Sequence, residues 1–187
     1  MDGDSIRNEK MKVLKALRPI TVDNVHEKTV RGQYGAGFIN GTPVAGYLQE
    51  EGGNSKSKSE TFVALKVDID NWRWAGVPFY LRTGKRMTTK RSEVVIFFKQ
   101  LPHNIFKDSY KELPPNKLVI RLQPDEGVQI EMLNKVPGIS KGIKLQKTML
   151  NLSFVDTFSG EHLADAYERL ILQTMIGNQN LFIRRDE

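Results

Sequence analysis

The chain has 187 residues, 39% hydrophobic and 27% charged, which is enough to bury a core and excludes a disordered tail. Its net charge of +6 permits an anionic partner without naming one, and the absence of cysteine excludes disulfides, thiol nucleophiles and cysteine-bound metals. The start Met-Asp-Gly-Asp-Ser does not read as a signal peptide and no apolar run approaches the roughly 20 residues of a membrane span, so the expected location is cytoplasmic, with no membrane partner.

Residues 4–17 read as a helix. Asp4 or Ser5 caps it, Ile6, Val13, Leu14 and Leu17 form its apolar face, and Pro19 ends it. Residues 20–60 read as mostly irregular. Arg-Gly-Gln-Tyr-Gly-Ala-Gly (31–37) has glycines, but not in the order of a dinucleotide loop. It also lacks a preceding apolar strand and a following helix. Residues 50–60 are rich in Gly, Ser, Asn and Lys, and read as a mobile surface loop.

From Thr61 the pattern alternates. Val63, Leu65, Val67 and Ile69 mark a first strand with one face buried, and residues 77–82 a second, with Pro78 at its entry. Residues 93–98 are apolar enough to be covered on both faces. Residues 117–123 form a fourth strand, Val128, Ile130 and Met132 mark a fifth, and residues 145–154 a sixth. Pro114-Pro115, Pro124-Asp125 and Pro137-Gly138 supply turns, and no helical pattern intervenes. The expected fold is α+β, a large mainly antiparallel sheet with helices packed on one face. Leu163, Ala166, Tyr167, Leu170, Ile171 and Met175 predict a following amphipathic helix, capped by Gly177. The other sheet face needs cover, from a partner subunit or from further residues.

Arg82, Lys85, Arg86, Lys90 and Arg91 lie on one loop with no acid among them. Such cations, around the small Gly84, suit a phosphate ester. The same loop also reads as a solvated cationic turn that protects a sheet edge. Gln123 ends a strand, where its amide either meets sugar hydroxyls or is merely solvated. Trp72 and Trp74 read as core or interface residues before sugar-stacking ones. His26, His103 and His162 lack ligand spacing, so no metal is expected. Asp165, Glu168 and Arg169 read as a helix-surface salt-bridge group.

Several blocks carry a resemblance: Asp-Ser-Ile-Arg-Asn-Glu-Lys (4–10), Val-Arg-Gly-Gln-Tyr (30–34) and Ile-Asp-Asn-Trp-Arg-Trp (69–74). Arg-Trp-Ala-Gly-Val-Pro-Phe-Tyr-Leu-Arg-Thr-Gly-Lys (73–85) follows, then Ile-Arg-Leu-Gln-Pro-Asp-Glu (120–126) and Lys-Val-Pro-Gly (135–138). The last are Asp-Ala-Tyr-Glu-Arg-Leu (165–170) and Leu-Phe-Ile-Arg-Arg-Asp-Glu (181–187). In this order, over nearly the whole chain, they closely resemble the C-terminal domain of the glucose-6-phosphate dehydrogenase family, bacterial type. The resemblance implies a single domain over residues 1–187, serving substrate binding and dimerisation, with an N-terminal Rossmann domain and the extreme C-terminus absent. It implies oxidation of glucose 6-phosphate to 6-phosphogluconolactone with NADP+, at the entry to the pentose phosphate pathway. It implies a homodimer through the sheet.

By the same resemblance, Lys85, Lys90 and Gln123 are substrate-binding residues. The family's catalytic histidine and main NADP site have no counterpart here, so no residue is expected to be catalytic or cofactor-binding, and the isolated chain is expected to be inactive. Arg82, Arg91 and Arg121 match cationic positions of a second, structural nucleotide site found in some animal members. Val95 and Glu131 stand where that site has Arg and Lys. Two other readings of the residues stay open: a non-enzymatic module that binds anions or nucleic acid, and a purely structural dimerisation unit. The family reading expects no nucleic acid.

Overall fold

Short strands joined by proline and glycine turns give this chain an α+β architecture in which, among the described residues, every strand pairing is antiparallel. The structure, a computed structural model, describes residues 3–139, 142–160 and 164–187. The helices are α1 (Gly3–Lys15), α2 (Val25–Lys28), α3 (Phe154–Thr157) and α4 (Ala166–Met175). The first strands are β1 (Thr29–Gly32), β2 (Gly37–Ile39), β3 (Thr42–Val44), β4 (Phe62–Val67) and β5 (Phe79–Gly84). The others are β6 (Ser92–Phe97), β7 (Lys117–Gln123), β8 (Gly127–Lys135) and β9 (Leu145–Ser153). They divide into two units, residues 1–88 with 164–187, and residues 89–163.

In the first unit, β1, β4 and β5 form a three-stranded sheet in that order, and β2 and β3 form a hairpin. β1 comes from the stretch expected to be irregular. Its four residues are too few to show a period, and its pairing with the distant β4 holds it extended. The second strand begins at Phe79, just after Pro78, whose missing N–H cannot join a ladder.

The expected face of α1 is corrected. Arg7 and Met11 are its buried residues, one turn apart, while Val13 and Leu14 are exposed. The Arg7 guanidinium donates to Gln179 at 3.1 Å and lies 3.6 Å from Asp4. A polar partner 172 residues away selects this face, and apolar spacing cannot register it. The helix stops at Lys15, short of Pro19. There the backbone straightens: Leu17 bridges Ile69, the Arg18 amide donates to the Asp68 carbonyl, and the Asp70 amide donates to that of Ala16. The Arg18 guanidinium then grips the Asp70 carboxylate with both arms, at 2.6 and 3.1 Å.

Helix α4 starts as a capping box. The Asp165 carboxylate accepts from the Glu168 amide at 2.9 Å, and the Glu168 carboxylate accepts from the Asp165 amide at 3.1 Å. These two acids therefore cap the helix, and Arg169 donates to the Ala164 carbonyl. The helix ends in a Schellman motif, with Gly177 at φ 70° and the Asn178 amide donating to the Gln173 carbonyl. Its apolar residues Tyr167, Ile171 and Met175 are exposed. The predicted Leu163 lies outside the described residues.

The second unit is a four-stranded meander, β6-β7-β8-β9. Its registers align Val94, Ile120, Val128 and Leu152 in one row and Ile96, Leu118, Ile130 and Leu150 in the next. Because side chains alternate along a strand, all eight share one apolar face. That face has no cover at its edges, where Val94, Ile96, Leu150 and Leu152 are exposed. Within this chain by itself, the expectation that 93–98 is covered on both faces is therefore not met. The opposite face is mixed, with Glu131 held by Lys117 at 3.0 Å and Lys147 at 3.3 Å.

Candidate functional site

Strand β5 leads directly into the cationic loop. Its last residue, Gly84, lies opposite Phe62. A Cβ there would sit 2.9 Å from both the Met87 sulfur and the Phe62 ring, so glycine lets the turn close. The next residue, Lys85, donates its amide to the Thr61 carbonyl at 2.8 Å. Arg86 follows in the left-handed region, at φ 52°.

The five cations are not equivalent. The Arg86 guanidinium pairs with the Glu50 carboxylate and lies 5.4 Å from the centre of the Tyr34 ring. The Tyr34 hydroxyl and the Glu50 carboxylate both raise its pKa above the ordinary value. Arg91 donates to Glu93 at 3.4 Å. Arg82, Lys85 and Lys90 are exposed, and no side-chain partner engages them among the described residues. Among the described residues, the side chains of Arg82 and Lys85 in the first unit and of Lys90 in the second thus remain unengaged.

Lys85 belongs to the first unit, and Lys90 and Gln123 to the second. Within the second unit, Gln123 is the last residue of β7 and lies opposite Ser92, two residues after Lys90. The β6–β7 end therefore carries both. The Gln123 side chain is exposed and has no partner among the described residues.

Trp72 is fully exposed, whereas Trp74 is half-buried, edge-on to Phe79 at 5.3 Å and beneath the Arg73 guanidinium at 5.5 Å. His162 lies outside the described residues. Among the described residues, no three His, Asp or Glu side chains come together to hold a metal ion, and no helix is long and apolar enough to cross a membrane. The 50–60 stretch is tied at its start, because Glu50 accepts from the Tyr34 hydroxyl at 2.9 Å as well as from Arg86.

Sequence reasoning left Tyr34, Glu50 and Thr61 out of the site. Their contacts to residues 85 and 86 span 24 to 52 positions, for which no local pattern exists.

A family model described as glucose-6-phosphate dehydrogenase, C-terminal domain, matches residues 1–187. The glucose-6-phosphate 1-dehydrogenase of Dickeya dadantii (strain 3937) is 64% identical over 187 residues, all of this chain and 38% of that protein. That of Rhizobium meliloti (strain 1021) is 56% identical over 188 residues, again all of this chain and 38% of that protein. Among solved structures, a glucose-6-phosphate dehydrogenase in complex with its substrate glucose-6-phosphate superposes with a TM-score of 0.84 at 36% identity. That match covers all of this chain and 36% of the other. The Mycobacterium avium enzyme superposes with a TM-score of 0.77 at 32% identity and the same coverage. This chain thus spans somewhat over a third of the length of the relatives it matches. Over its whole length, it belongs to the family of glucose-6-phosphate dehydrogenase C-terminal domains.

Proposed function

We propose that this chain is the substrate-gripping and dimerising part of a cytoplasmic, NADP-dependent glucose-6-phosphate dehydrogenase. The enzyme oxidises C1 of glucose 6-phosphate to 6-phosphogluconolactone, at the entry to the pentose phosphate pathway. The observation that carries this reading is the whole-chain likeness to a dehydrogenase solved with glucose 6-phosphate. Lys85 and Lys90 hold the phosphate. Neither ammonium is engaged elsewhere among the described residues. A phosphate dianion favours such donors, since charge-assisted hydrogen bonds are about twice as strong as neutral ones. Gln123 offers both a donor and an acceptor, which suits sugar hydroxyls.

NADP+ supplies the hydride acceptor when bound, but the residues of this chain do not fit its main site. The glycines of 31–37 are followed by strand β2 and not by a helix N-terminus. A structural nucleotide fits no better. Arg121 donates to Asn151 at 2.7 Å, Arg91 meets Glu93, and Glu131 offers a carboxylate already held by two lysines. The dimer uses the sheet β6–β9, whose apolar face needs cover.

The test joins this domain to the remaining length of a relative and follows NADPH formation. The reading expects turnover with glucose 6-phosphate, poor turnover with unphosphorylated glucose, and none by the 187 residues alone. Equal activity on glucose and glucose 6-phosphate would sink it.

A further inference from the structure

We infer that Arg86 is a positioning residue for Lys85, acting through Glu50 and Tyr34; the inference rests on the substrate-gripping role proposed for Lys85. A lysine side chain is long and flexible, so its aim depends on where the backbone holds its Cα. Two ties hold that backbone at the end of β5. The Lys85 amide donates to the Thr61 carbonyl at 2.8 Å, and the Thr61 hydroxyl in turn accepts from the Tyr34 amide at 2.8 Å. Thr61 itself is buried. On the other side, the Arg86 guanidinium pairs with Glu50 above the Tyr34 ring, and the Tyr34 hydroxyl donates to the same Glu50 oxygen, Oε1.

The contacts close a ring: Lys85 to Thr61, Thr61 to Tyr34, Tyr34 to Glu50, Glu50 to Arg86, and Arg86 back to Lys85 through one peptide bond. Arg86 sits at φ 52°, a conformation that a non-glycine residue holds only when its surroundings enforce it. Its charge is spent on Glu50, which separates its role from that of the unengaged Lys85. The ring fixes the turn that presents the Lys85 ammonium.

The test uses the full-length dehydrogenase carrying this domain, with the variants Lys85→Ala, Arg86→Gly, Glu50→Gln and the double variant of the first two. Glycine keeps the left-handed backbone while removing the guanidinium, and Glu50→Gln keeps the shape while removing the charge. Thermal melting of each variant guards against misfolding. Arg86→Gly should raise the KM for glucose 6-phosphate about tenfold, with kcat and the KM for NADP+ within about twofold. Glu50→Gln should move KM the same way, and Arg86→Gly should add nothing in the Lys85→Ala background. If Lys85→Ala raises KM but Arg86→Gly does not, or if the two effects multiply, Arg86 does not position Lys85. If Lys85→Ala itself leaves KM unchanged, the substrate-gripping reading falls, and this inference with it.

Discussion

Gln123 stands opposite Ser92 because the β6–β7 register slips between Ser92 and Glu93, leaving Leu122 as the extra residue of a bulge. A bulge re-aims the side chains beyond it. Here it ends the ladder on the one amide that the proposed site uses, opposite Ser92, which follows Lys90 by two residues. In the full-length enzyme, Gln123→Ala should raise the KM for glucose 6-phosphate about fivefold, the loss of one neutral hydrogen bond of about 1 kcal/mol. Gln123→Glu should do more, since a carboxylate beside a phosphate dianion repels it. Steady-state kinetics decides this, and unchanged KM values in both variants would remove Gln123 from the site.

Asp68 and Asp70 give the fold an acid limit. The Lys28 ammonium, 2.7 Å from Asp68, and the Arg18 guanidinium on Asp70 hold both carboxyls below their usual 3.8. A depressed folded pKa contributes stability that is present above the unfolded pKa and is lost as pH falls through the folded one. The melting temperature should therefore be flat from neutral pH down to about 5 and fall below about 4. Asp70→Asn should make that fall shallower. An identical acid profile in Asp70→Asn would show that the Arg18 pair contributes nothing to it.

Gly127 marks a close crossing. A Cβ there would lie 2.3 Å from the Leu152 carbonyl oxygen and 2.7 Å from the Arg121 guanidinium. The backbone cannot yield as a side-chain tip would. Gly127→Ala should cost about 1–3 kcal/mol, read as a lower urea midpoint. A midpoint equal to that of the unchanged protein would mean that the β8–β9 crossing is looser than described.

The apolar rows of β6–β9 make a prediction about assembly. Leu150 is exposed in one chain and sits at the edge of that face. If the face is the dimer interface, Leu150→Lys places a charge where it would lose its water, and the dimer should dissociate. Sedimentation of the full-length protein reads this directly. A dimer of unchanged strength would move the interface elsewhere.

What could be read from the sequence depended on range. Residues 117–123 were legible as a strand because Leu118, Val119, Ile120 and Leu122 form a short apolar run rich in branched side chains, bounded by the turns at Pro114-Pro115 and Pro124-Asp125. The cap at Gly177 was legible because one residue type fits its φ. The buried face of α1 was not, since Arg7 is chosen by Gln179, far along the chain. The loop cations were visible as a cluster, but their division was not. Arg86 answers to Glu50, 36 positions earlier, and only the folded chain shows which lysines remain unengaged. The assignment of Lys85, Lys90 and Gln123 came from the resemblance and remains a proposal.

The most direct test is the KM for glucose 6-phosphate of Lys85→Ala and Lys90→Ala in the full-length NADP-dependent enzyme. Each removes one charge-assisted contact to the phosphate, worth about 1.5–3 kcal/mol, so each should raise KM by roughly 10- to 150-fold. The KM for NADP+ should stay the same, and so should the already weak use of unphosphorylated glucose. A KM unchanged in both variants would contradict the account.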